Sequence, residues 1–590
     1  MKTSADANLR AALVLLEGLR ACGLRRLVLC PGSRSAPLAV AAGLLAARGL
    51  DLLTAVDERS AAFLALGLGR GDGRPAAVVT TSGSAVANLL PAVVEADSGA
   101  VPLLLLTADR PARLKGCAAN QTVNQEAFLA PCCRLTHDGD PRGLAAMNAA
   151  ALQDLAACAW RACLGAPWGP VHLNLPFEEP LHVDAAALEA AALEPVSMES
   201  ALLAPGPAGD LPQHLRAAPA ALLDPDRPGV VVAGPWRGTA DALAPFAEAL
   251  RRWQQRSGWP VLADALSGLR GWPGLQLIHG YDLLLAEGHG LPPAPQLLRL
   301  GPMPASRRLQ QWIAACSGPQ LLISETDPRN LDAGLAPTER WVFGLEAWVQ
   351  AGPAGGSAPA ENQALCQRWL QCDADCQWLL DADLDRFRPN EPALSRLLSQ
   401  ALPAGLPLML ASSSPVRDWD SFAAAAAPQR PVFAFRGASG IDGTLSLAAG
   451  LACSSGALVL LTGDLALLHD ANGWLWRQQL QARGARLCVV LIDNGGGGIF
   501  EQLPIRLEEA SSAMDFERLF AMPQAIDHRQ LAHGYGVPSR ALTQLDELED
   551  ALAWGLQQPM ALLALRTDRR ADAELRRQLR RRMAPLSARP

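Results

Sequence analysis

The stretch Val489–Phe500 reads VVLIDNGGGGIF, an apolar run that ends at an acid and an amide and continues into four glycines. A short apolar run closed by turn residues is typical of a buried strand in a parallel sheet. A second run, ALVLLTGD, ends at Gly463 and Asp464, 30 residues before Asn494. Parallel strands joined by one helix end at the same edge of a sheet, so Asp464 and Asn494 are predicted to face one crevice.

The residue types at these two strand ends suit a divalent cation. A carboxylate, an amide oxygen and a main-chain carbonyl from Gly496 are ligands that Mg²⁺ accepts together with phosphate oxygens and water. Glycines let the backbone approach a phosphate closely, and the helix that begins at Asp464 points amides toward it. A flexible loop beside an ordinary helix cap is the simpler alternative. The chain has no GxxxxGK[ST] and no well-placed GxGxxG, which disfavours P-loop and NAD sites.

Length, charge and composition indicate a soluble protein of several domains. A chain of 590 residues is long enough for about three or four domains. No apolar stretch approaches the roughly 20 residues that span a bilayer, and the first residues lack a secretory signal, so a cytoplasmic protein is expected. The net charge of −7 argues against general nucleic-acid binding. The 13 scattered cysteines contain no CxxC pair and are interpreted as reduced thiols, mostly buried.

Apolar runs alternate with Ala/Leu-rich helical stretches along the chain, which predicts α/β domains with doubly wound, mainly parallel sheets. Three such domains are predicted in series, at 1–185, 229–362 and 363–567. A proline-rich linker is predicted at 186–228, and the middle domain ends in a flexible connector. The basic tail, 568–590, contains LRRQLRRRM and is interpreted as a helix that is solvated or docked on an acidic partner surface.

The spacing of GD and N-x-G resembles the signature of thiamine diphosphate enzymes, in which pyrimidine-binding, middle and diphosphate-binding domains follow one another. Further motifs resemble the family of 2-succinyl-5-enolpyruvyl-6-hydroxy-3-cyclohexene-1-carboxylate synthases within that superfamily. They occur in order along the chain: CPGSRSAPL (30–38), DERSAAFLALGLG (57–69), TSGSAVANLLPAVVEA (81–96), LLTADRP (105–111), ANQTVNQ (119–125), GPVHLNLPFEEPL (169–181), FRGASGIDG (435–443), GDLALLHDANG (463–473) and NGGGGIFEQLP (494–504). The middle domain and the tail resemble the family only weakly.

The resemblance implies thiamine diphosphate and Mg²⁺, or Mn²⁺, as cofactors. Glu58 resembles the acid that bonds the pyrimidine nitrogen of the cofactor, a role that requires water to be largely excluded. Ile441 resembles the apolar residue that wedges between the two cofactor rings. The metal ligands implied are Asp464, Asn494 and Gly496. The remaining cofactor-binding residues implied are Ser439, Gly463, Leu465, Ile499 and Phe500.

The resemblance further implies decarboxylation of 2-oxoglutarate and a 1,4 addition to isochorismate, in menaquinone or phylloquinone biosynthesis. These substrates carry four carboxylates, which a protein of net charge −7 can bind only through a local basic cluster. The catalytic residues implied are Glu58, Arg34, Arg110, Gln121, Arg417 and Arg436. The substrate-binding residues implied are Ser33, Arg34, Arg110, Asn120, Gln121, Arg307, Arg308, Ser413, Arg417 and Arg436.

Three features depart from the family pattern. Arg307 stands where a lysine is usual, and Asp493 stands where an asparagine is common; Asp493 is expected to point away from the metal. Prolines at 302 and 304 stiffen the loop before Arg307.

Two alternatives stay open, another thiamine diphosphate-dependent 2-oxoacid lyase or carboligase, and a non-catalytic thiamine diphosphate-binding scaffold. In the superfamily, Glu58 and Asp464 would serve one site from two subunits. The resemblance therefore implies a homodimer or homotetramer with active sites at the subunit interface.

Overall fold

The computed structural model describes residues 4–193, 222–286, 291–325, 327–332, 339–352, 356–385, 387–507 and 514–587. Residues 194–221 of the predicted linker and 353–355 of the predicted connector lie outside these ranges. The chain forms two compact units. The first comprises Met1–Asp210, Arg436–Gly456 and Asp470–Arg483, and the second comprises Leu211–Phe435, Ala457–His469 and Gly484–Pro590.

The first unit is built on a six-stranded parallel sheet with the order β2-β1-β3-β4-β6-β5. Its strands are β1 (Arg26–Leu29), β2 (Asp51–Thr54), β3 (Ala76–Thr80), β4 (Leu103–Asp109), β5 (Leu135–His137) and β6 (Pro170–Pro176). Its helices include α1 (Ser4–Cys22), α2 (Ala36–Ala46), α3 (Glu58–Asp72), α4 (Ser84–Ala87), α5 (Leu90–Gly99), α6 (Glu126–Leu129), α7 (Ala149–Leu164) and α8 (Ala185–Leu193). Central strands β3, β4 and β6 are buried throughout, as expected for a sheet covered on both faces.

Helix α3 crosses a helix from much later in the chain at very short range. That helix, Thr444–Ser455, belongs to the first unit. A Cβ on Gly67 would lie 2.3 Å from the carbonyl oxygen of Leu447, and a Cβ on Gly450 would lie 2.2 Å from that of Leu64. The two glycines therefore permit a backbone-to-backbone contact that no larger residue allows. This contact fixes the helix that carries Glu58 at its first residue.

The second unit contains two further six-stranded parallel sheets within the described residues. One has the order β12-β11-β10-β7-β8-β9, and the other has the order β14-β13-β15-β16-β18-β17. The strands of the former are β7 (Val230–Ala233), β8 (Val261–Ala263), β9 (Leu277–Ile278), β10 (Leu297–Leu300), β11 (Gln320–Ile323) and β12 (Glu339–Trp341). Those of the latter are β13 (Leu408–Leu410), β14 (Val432–Ala434), β15 (Ala457–Gly463), β16 (Arg486–Asp493), β17 (Ser539–Leu542) and β18 (Met560–Arg566).

The remaining helices follow in chain order, with α16 and α18 in the first unit and the others in the second. They are α9 (Leu243–Ser257), α10 (Tyr281–Leu284), α11 (Arg307–Ala315), α12 (Gly344–Ala351), α13 (Ala360–Asp383), α14 (Glu391–Ala401), α15 (Ser414–Phe422), α16 (Thr444–Ser455), α17 (Asp464–His469), α18 (Arg477–Ala482), α19 (Pro504–Leu507), α20 (His528–Gly534), α21 (Leu548–Gly555) and α22 (Arg569–Ser587). None of the described helices is both long and apolar enough to cross a membrane. The predicted class, three parallel α/β sheets in series, is confirmed, whereas the domain limits stay predictions.

The basic tail differs from its sequence-based interpretation. Helix α22 packs Leu579 and Met583 into a core with Tyr281 of α10, so one face of it is buried within its own chain. Its Arg576 is buried and ion-paired with Glu391 and Asp418 of the same unit. The tail thus docks on acidic residues of its own chain.

Candidate active site

Asp464 and Asn494 follow the ends of two paired strands. Strands β15 and β16 are parallel neighbours, as predicted from the sequence, with Gly463 opposite Ile492. Two helices, α17 and α18, lie between them instead of the single helix that was expected. One carboxylate oxygen of Asp464 accepts the backbone N–H of Gly496 at 2.7 Å, and the other accepts the backbone N–H of Leu465 at 2.8 Å. The acid therefore lies directly against the glycine loop.

The side chain of Asn494 is buried and has one unsatisfied oxygen. Its Nδ2 donates to Oε1 of Glu391 at 2.6 Å. Its Oδ1 is buried without a hydrogen-bond partner among the described residues. Because buried polar atoms are rarely left unpaired, such an oxygen indicates a ligand, and an amide oxygen beside a carboxylate fits a hard cation.

The four glycines have a packing role in addition to the phosphate-binding role that the sequence predicts for them. Gly495 and Gly496 have φ values of +78° and +122°, and a Cβ on Gly496 would lie 2.1 Å from the carbonyl oxygen of Ala521. The N–H of Gly497 donates to that same oxygen at 2.6 Å. A Cβ on Gly498 would lie 2.5 Å from Nδ2 of Asn494. Much of the bare backbone thus serves packing inside the protein, and the glycine run also keeps space beside the amide.

Burial raises the pKa of Asp464 to about 6, and the nearby charge of Asp493 contributes to the increase despite the backbone hydrogen bonds. A divalent cation at this acid would offset that cost. Asp493 itself lies 3.4 Å from Nη1 of Arg566 at the end of the neighbouring strand. Among the described residues no three His, Cys, Asp or Glu side chains form a metal cluster. The candidate donors are therefore one carboxylate, one amide and the carbonyl of Gly496.

A cavity of about 300 Å³ in the second unit brings together several predicted residues. Arg307, Arg308, Arg417 and Ile499 all line it. Arg576 and Arg580 of α22 line it as well, although neither was predicted from the sequence to belong to a site. The cavity therefore combines arginines of α11, of α15 and of the C-terminal helix.

Asp282 fixes one wall of this cavity. Its carboxylate accepts the hydroxyls of Ser306 at 2.5 Å and Ser421 at 2.8 Å, and it pairs with Arg308 at 2.8 Å. Burial alone would raise the pKa of Asp282, but Arg308, the two hydroxyls and the charge of Arg580 outweigh it and lower the pKa. Ser306 also caps α11 by accepting the N–H of Leu309. One acid thus ties α10, α11 and α15 together.

The predicted residues on α15 and in the glycine loop are partly open to solvent. Arg417 is exposed, and its Nη1 donates to the carbonyl oxygen of Ser413 at 2.7 Å. Ser413 has a φ of +76° at the start of α15. Ile499 and Phe500 are half-buried, and the Phe500 ring lies 5.7 Å from that of Phe520.

In the first unit, Glu58 is the first residue of α3. Asp57 caps the helix by accepting the N–H of Ser60 and also accepts Nδ2 of Asn472 at 2.9 Å. Asn88 donates to Glu58 at 3.3 Å. Glu58 is only half-buried in the single chain, whereas its predicted role requires water to be largely excluded there.

The predicted anion-binding residues of this unit divide into buried and exposed ones. Arg34 is buried and donates to the carbonyl oxygen of Phe177 at 2.9 Å and to Glu179 at 2.8 Å. Arg110 is buried too, donating to the hydroxyl of Ser82 and, at 2.9 Å, to the carbonyl oxygen of Gln121. Burial and the charge of Arg34 lower the pKa of Arg110. The remaining members are exposed, namely Ser33, Asn120 and Gln121.

Glu95 organises the loop that carries Arg436, Ser439 and Ile441. The loop N–H groups of Gly437, Ala438 and Ser439 donate to its carboxylate at 2.8, 2.6 and 3.1 Å. Burial raises the pKa of Glu95 against these hydrogen bonds. Arg436 and Ile441 are half-buried, and Ser439 is exposed. Glu95 was not predicted from the sequence; the available signal was an acid in the mainly apolar first half of helix α5, LPAVVE.

Comparisons with known proteins identify the class of the chain. Residues 9–128 match the thiamine pyrophosphate enzyme N-terminal TPP binding domain, and residues 225–410 match the middle domain of thiamine pyrophosphate enzymes. With the fold, these matches define a thiamine pyrophosphate enzyme.

Two relatives make the assignment more specific. The 2-succinyl-5-enolpyruvyl-6-hydroxy-3-cyclohexene-1-carboxylate synthase of Synechococcus sp. (strain RCC307) is 54% identical over 583 residues, which is 98% of each chain. The enzyme of the same name from Parasynechococcus marenigrum (strain WH8102) is 54% identical over 94% of this chain and 98% of its own. The chain belongs to the family of 2-succinyl-5-enolpyruvyl-6-hydroxy-3-cyclohexene-1-carboxylate synthases.

Proposed function

We propose that the protein decarboxylates 2-oxoglutarate and adds the resulting succinyl unit 1,4 to isochorismate, releasing CO₂ and forming 2-succinyl-5-enolpyruvyl-6-hydroxy-3-cyclohexene-1-carboxylate. The observation that carries this proposal is the arginine-lined cavity, because both substrates are dicarboxylates. Family membership supports the same activity. The reaction would serve menaquinone or phylloquinone biosynthesis in the cytoplasm.

The residues of the second unit would hold the cofactor by its metal. Asp464, Oδ1 of Asn494 and the carbonyl of Gly496 would bind Mg²⁺, or Mn²⁺, and the metal would hold the diphosphate. When bound, thiamine diphosphate supplies the carbanion chemistry that decarboxylation and carbon–carbon bond formation require. Gly463, Leu465, Ile499 and Phe500 would contact the cofactor around that metal.

The residues of the first unit would hold one proton at the cofactor and bind the substrate carboxylates. Glu58 would hold a proton at the pyrimidine ring nitrogen, with Ile441 and Ser439 against the cofactor. Arg34, Arg110 and Arg436, with Ser33, Asn120 and Gln121, would bind substrate carboxylates and orient the two reactants. In the second unit Arg307, Arg308, Arg417 and Ser413 would do the same.

The active form would be a homodimer or homotetramer in which Glu58 of one chain and Asp464 of another complete one site. The half-burial of Glu58 and the 84% exposure of the neighbouring Val56 support a second copy covering this end of α3. The test mixes the inactive variants E58Q and D464N under conditions that exchange subunits. A shared site predicts recovery of activity, since one site per mixed dimer carries neither change, whereas sites within single chains predict none.

Product formation tests the activity itself. The protein with thiamine diphosphate and Mg²⁺ should release CO₂ from 2-oxoglutarate and form the named product only when isochorismate is present. Turnover of pyruvate in place of 2-oxoglutarate would instead indicate another thiamine diphosphate lyase or carboligase. Cofactor binding without turnover of either 2-oxoacid would indicate a binding scaffold.

A further inference from the structure

The position of helix α22 follows from one buried ionic contact. Arg576 donates to Glu391 and to Asp418 at 2.5 Å each, and all three side chains are buried. A buried guanidinium between two carboxylates is tightly held, and removing either partner is costly. Together with the packing of Leu579 and Met583, this contact fixes the rotation of α22 about its axis.

That rotation places Arg580, one helical turn after Arg576, on the wall of the arginine-lined cavity. The acids of the wall are already engaged: Asp282 with Arg308, Asp418 with Arg576, and Asp420 with Arg270 at 2.8 Å. Arg580 is half-buried and makes no hydrogen bond or ion pair within the described residues. Its one acidic neighbour named among the causes of its pKa is Asp282, which already pairs with Arg308, so within the described residues the cavity wall has more positive charge than it neutralises by contact.

The environment of Arg580 is unfavourable to its charge. Burial and the neighbouring Arg308 lower the pKa of Arg580 to about 10, and Asp282 only partly compensates. Two guanidinium groups close together in a partly buried cavity repel each other unless an anion lies between them. A bound carboxylate would relieve that repulsion.

We propose that Arg580 binds a carboxylate of a dicarboxylate substrate in this cavity, so that the C-terminal helix forms part of the substrate site. The proposal rests on the proposed function and adds a specificity residue that lies outside every family motif in the sequence. Both 2-oxoglutarate and isochorismate carry carboxylates that Arg580 could bind. The substrate whose KM rises when Arg580 is replaced is the one that it binds.

The experiment compares R580Q, R580K and R581Q with the parent protein, each loaded with thiamine diphosphate and Mg²⁺. Arg581 is exposed on the same helix and is not part of the cavity wall, so R581Q controls for the loss of one positive charge. KM and kcat are measured for each substrate at saturating concentration of the other. Binding of glutarate, an unreactive dicarboxylate, is measured by calorimetry on the same samples.

R580Q is expected to raise the KM for one of the two substrates about tenfold or more. If that substrate is 2-oxoglutarate, R580Q should also weaken the binding of glutarate. R580K should recover part of the loss, and R581Q should match the parent. An unchanged KM for both substrates in R580Q, or an equal change in R581Q, overturns the proposal. A parent protein without turnover refutes the proposed function instead, so the two failures are distinguishable.

Discussion

The amide nitrogen of Asn494 is held by Glu391 at 2.6 Å, and its oxygen has no partner among the described residues. A carboxylate can only accept, so this contact fixes which end of the amide faces Glu391 and which end is offered to a ligand. Glu391 in turn is held by Arg576 of the C-terminal helix. The orientation of Asn494, a candidate metal ligand, is thus set by Glu391, about 100 positions before it, and by Arg576, about 80 positions after it.

E391Q should weaken Mg²⁺ binding. A glutamine has only one side-chain oxygen, so it cannot accept hydrogen bonds from both Asn494 and Arg576 as the two carboxylate oxygens do. The amide oxygen of Asn494 then loses its fixed orientation. Loss of such a supporting contact typically costs about 10- to 100-fold in metal affinity. Calorimetric titration of Mg²⁺ in the presence of thiamine diphosphate measures this change. The control is E574Q, at an acid that pairs with Arg577 of its own helix α22. An affinity of E391Q within twofold of the parent would contradict the assignment.

E58Q should remove turnover but not cofactor binding. A glutamine cannot exchange a proton with the pyrimidine ring, and a positioned acid or base typically contributes about 100- to 10,000-fold to a rate. The measurement is kcat for product formation, alongside calorimetry of thiamine diphosphate uptake. A kcat equal to that of the parent would refute the role assigned to Glu58.

G496A should destabilise the glycine loop and weaken metal binding together. The left-handed backbone costs an alanine about 1–2 kcal/mol, and the close contact with Ala521 adds roughly 1–3 kcal/mol of overpacking. G484A is the matched control, because Gly484 also has a positive φ, +65°, but a Cβ added there would meet no atom within 4 Å. Unfolding midpoints and Mg²⁺ affinities equal in the two variants would count against the packing role of Gly496.

His172 should make the stability of the first unit depend on pH. Burial lowers the pKa of His172 to about 4 from an ordinary value of 6.5, with Nε2 2.7 Å from the Thr107 hydroxyl. The unfolded chain therefore binds more protons between pH 6.5 and 4, so this contribution is full above pH 6.5 and is lost as pH falls toward 4. Its size is on the order of 3 kcal/mol.

The pH effect is measured by denaturant unfolding from pH 7 to pH 4 in the parent and in H172Q. The parent should lose stability more steeply than the variant across this window, because glutamine does not titrate. Parallel curves for the two proteins would exclude His172 as the cause.

The strand ends of the candidate site could be predicted from the sequence because their signals are local. Apolar runs end at Asp464 and Asn494 within a few residues of the glycines, and the short connection between the two runs indicates that their strands are neighbours. The roles of Glu95 and Arg576 could not be predicted in this way. Their partners lie more than 150 residues away for Arg576 and more than 300 for Glu95, and only tertiary packing brings them together.

The burial of the C-terminal helix could not be predicted from the sequence for the same reason. A run of arginines predicts solvation, since charged side chains are rarely buried without partners. Glu391 and Asp418 supply those partners, but neither stands out in its own segment. Likewise, the four glycines indicate that another group approaches the backbone closely, but the sequence does not identify the carbonyl oxygen of Ala521 as one such group.

Calorimetry of thiamine diphosphate uptake tests the metal site most directly, using the parent protein, D464N and D493N with and without millimolar Mg²⁺. The parent and D493N should bind the cofactor only with Mg²⁺ present, and D464N should bind it far more weakly under the same conditions. No uptake by the parent at millimolar Mg²⁺, or equal uptake by D464N, would contradict a divalent ion held between Asp464 and Asn494.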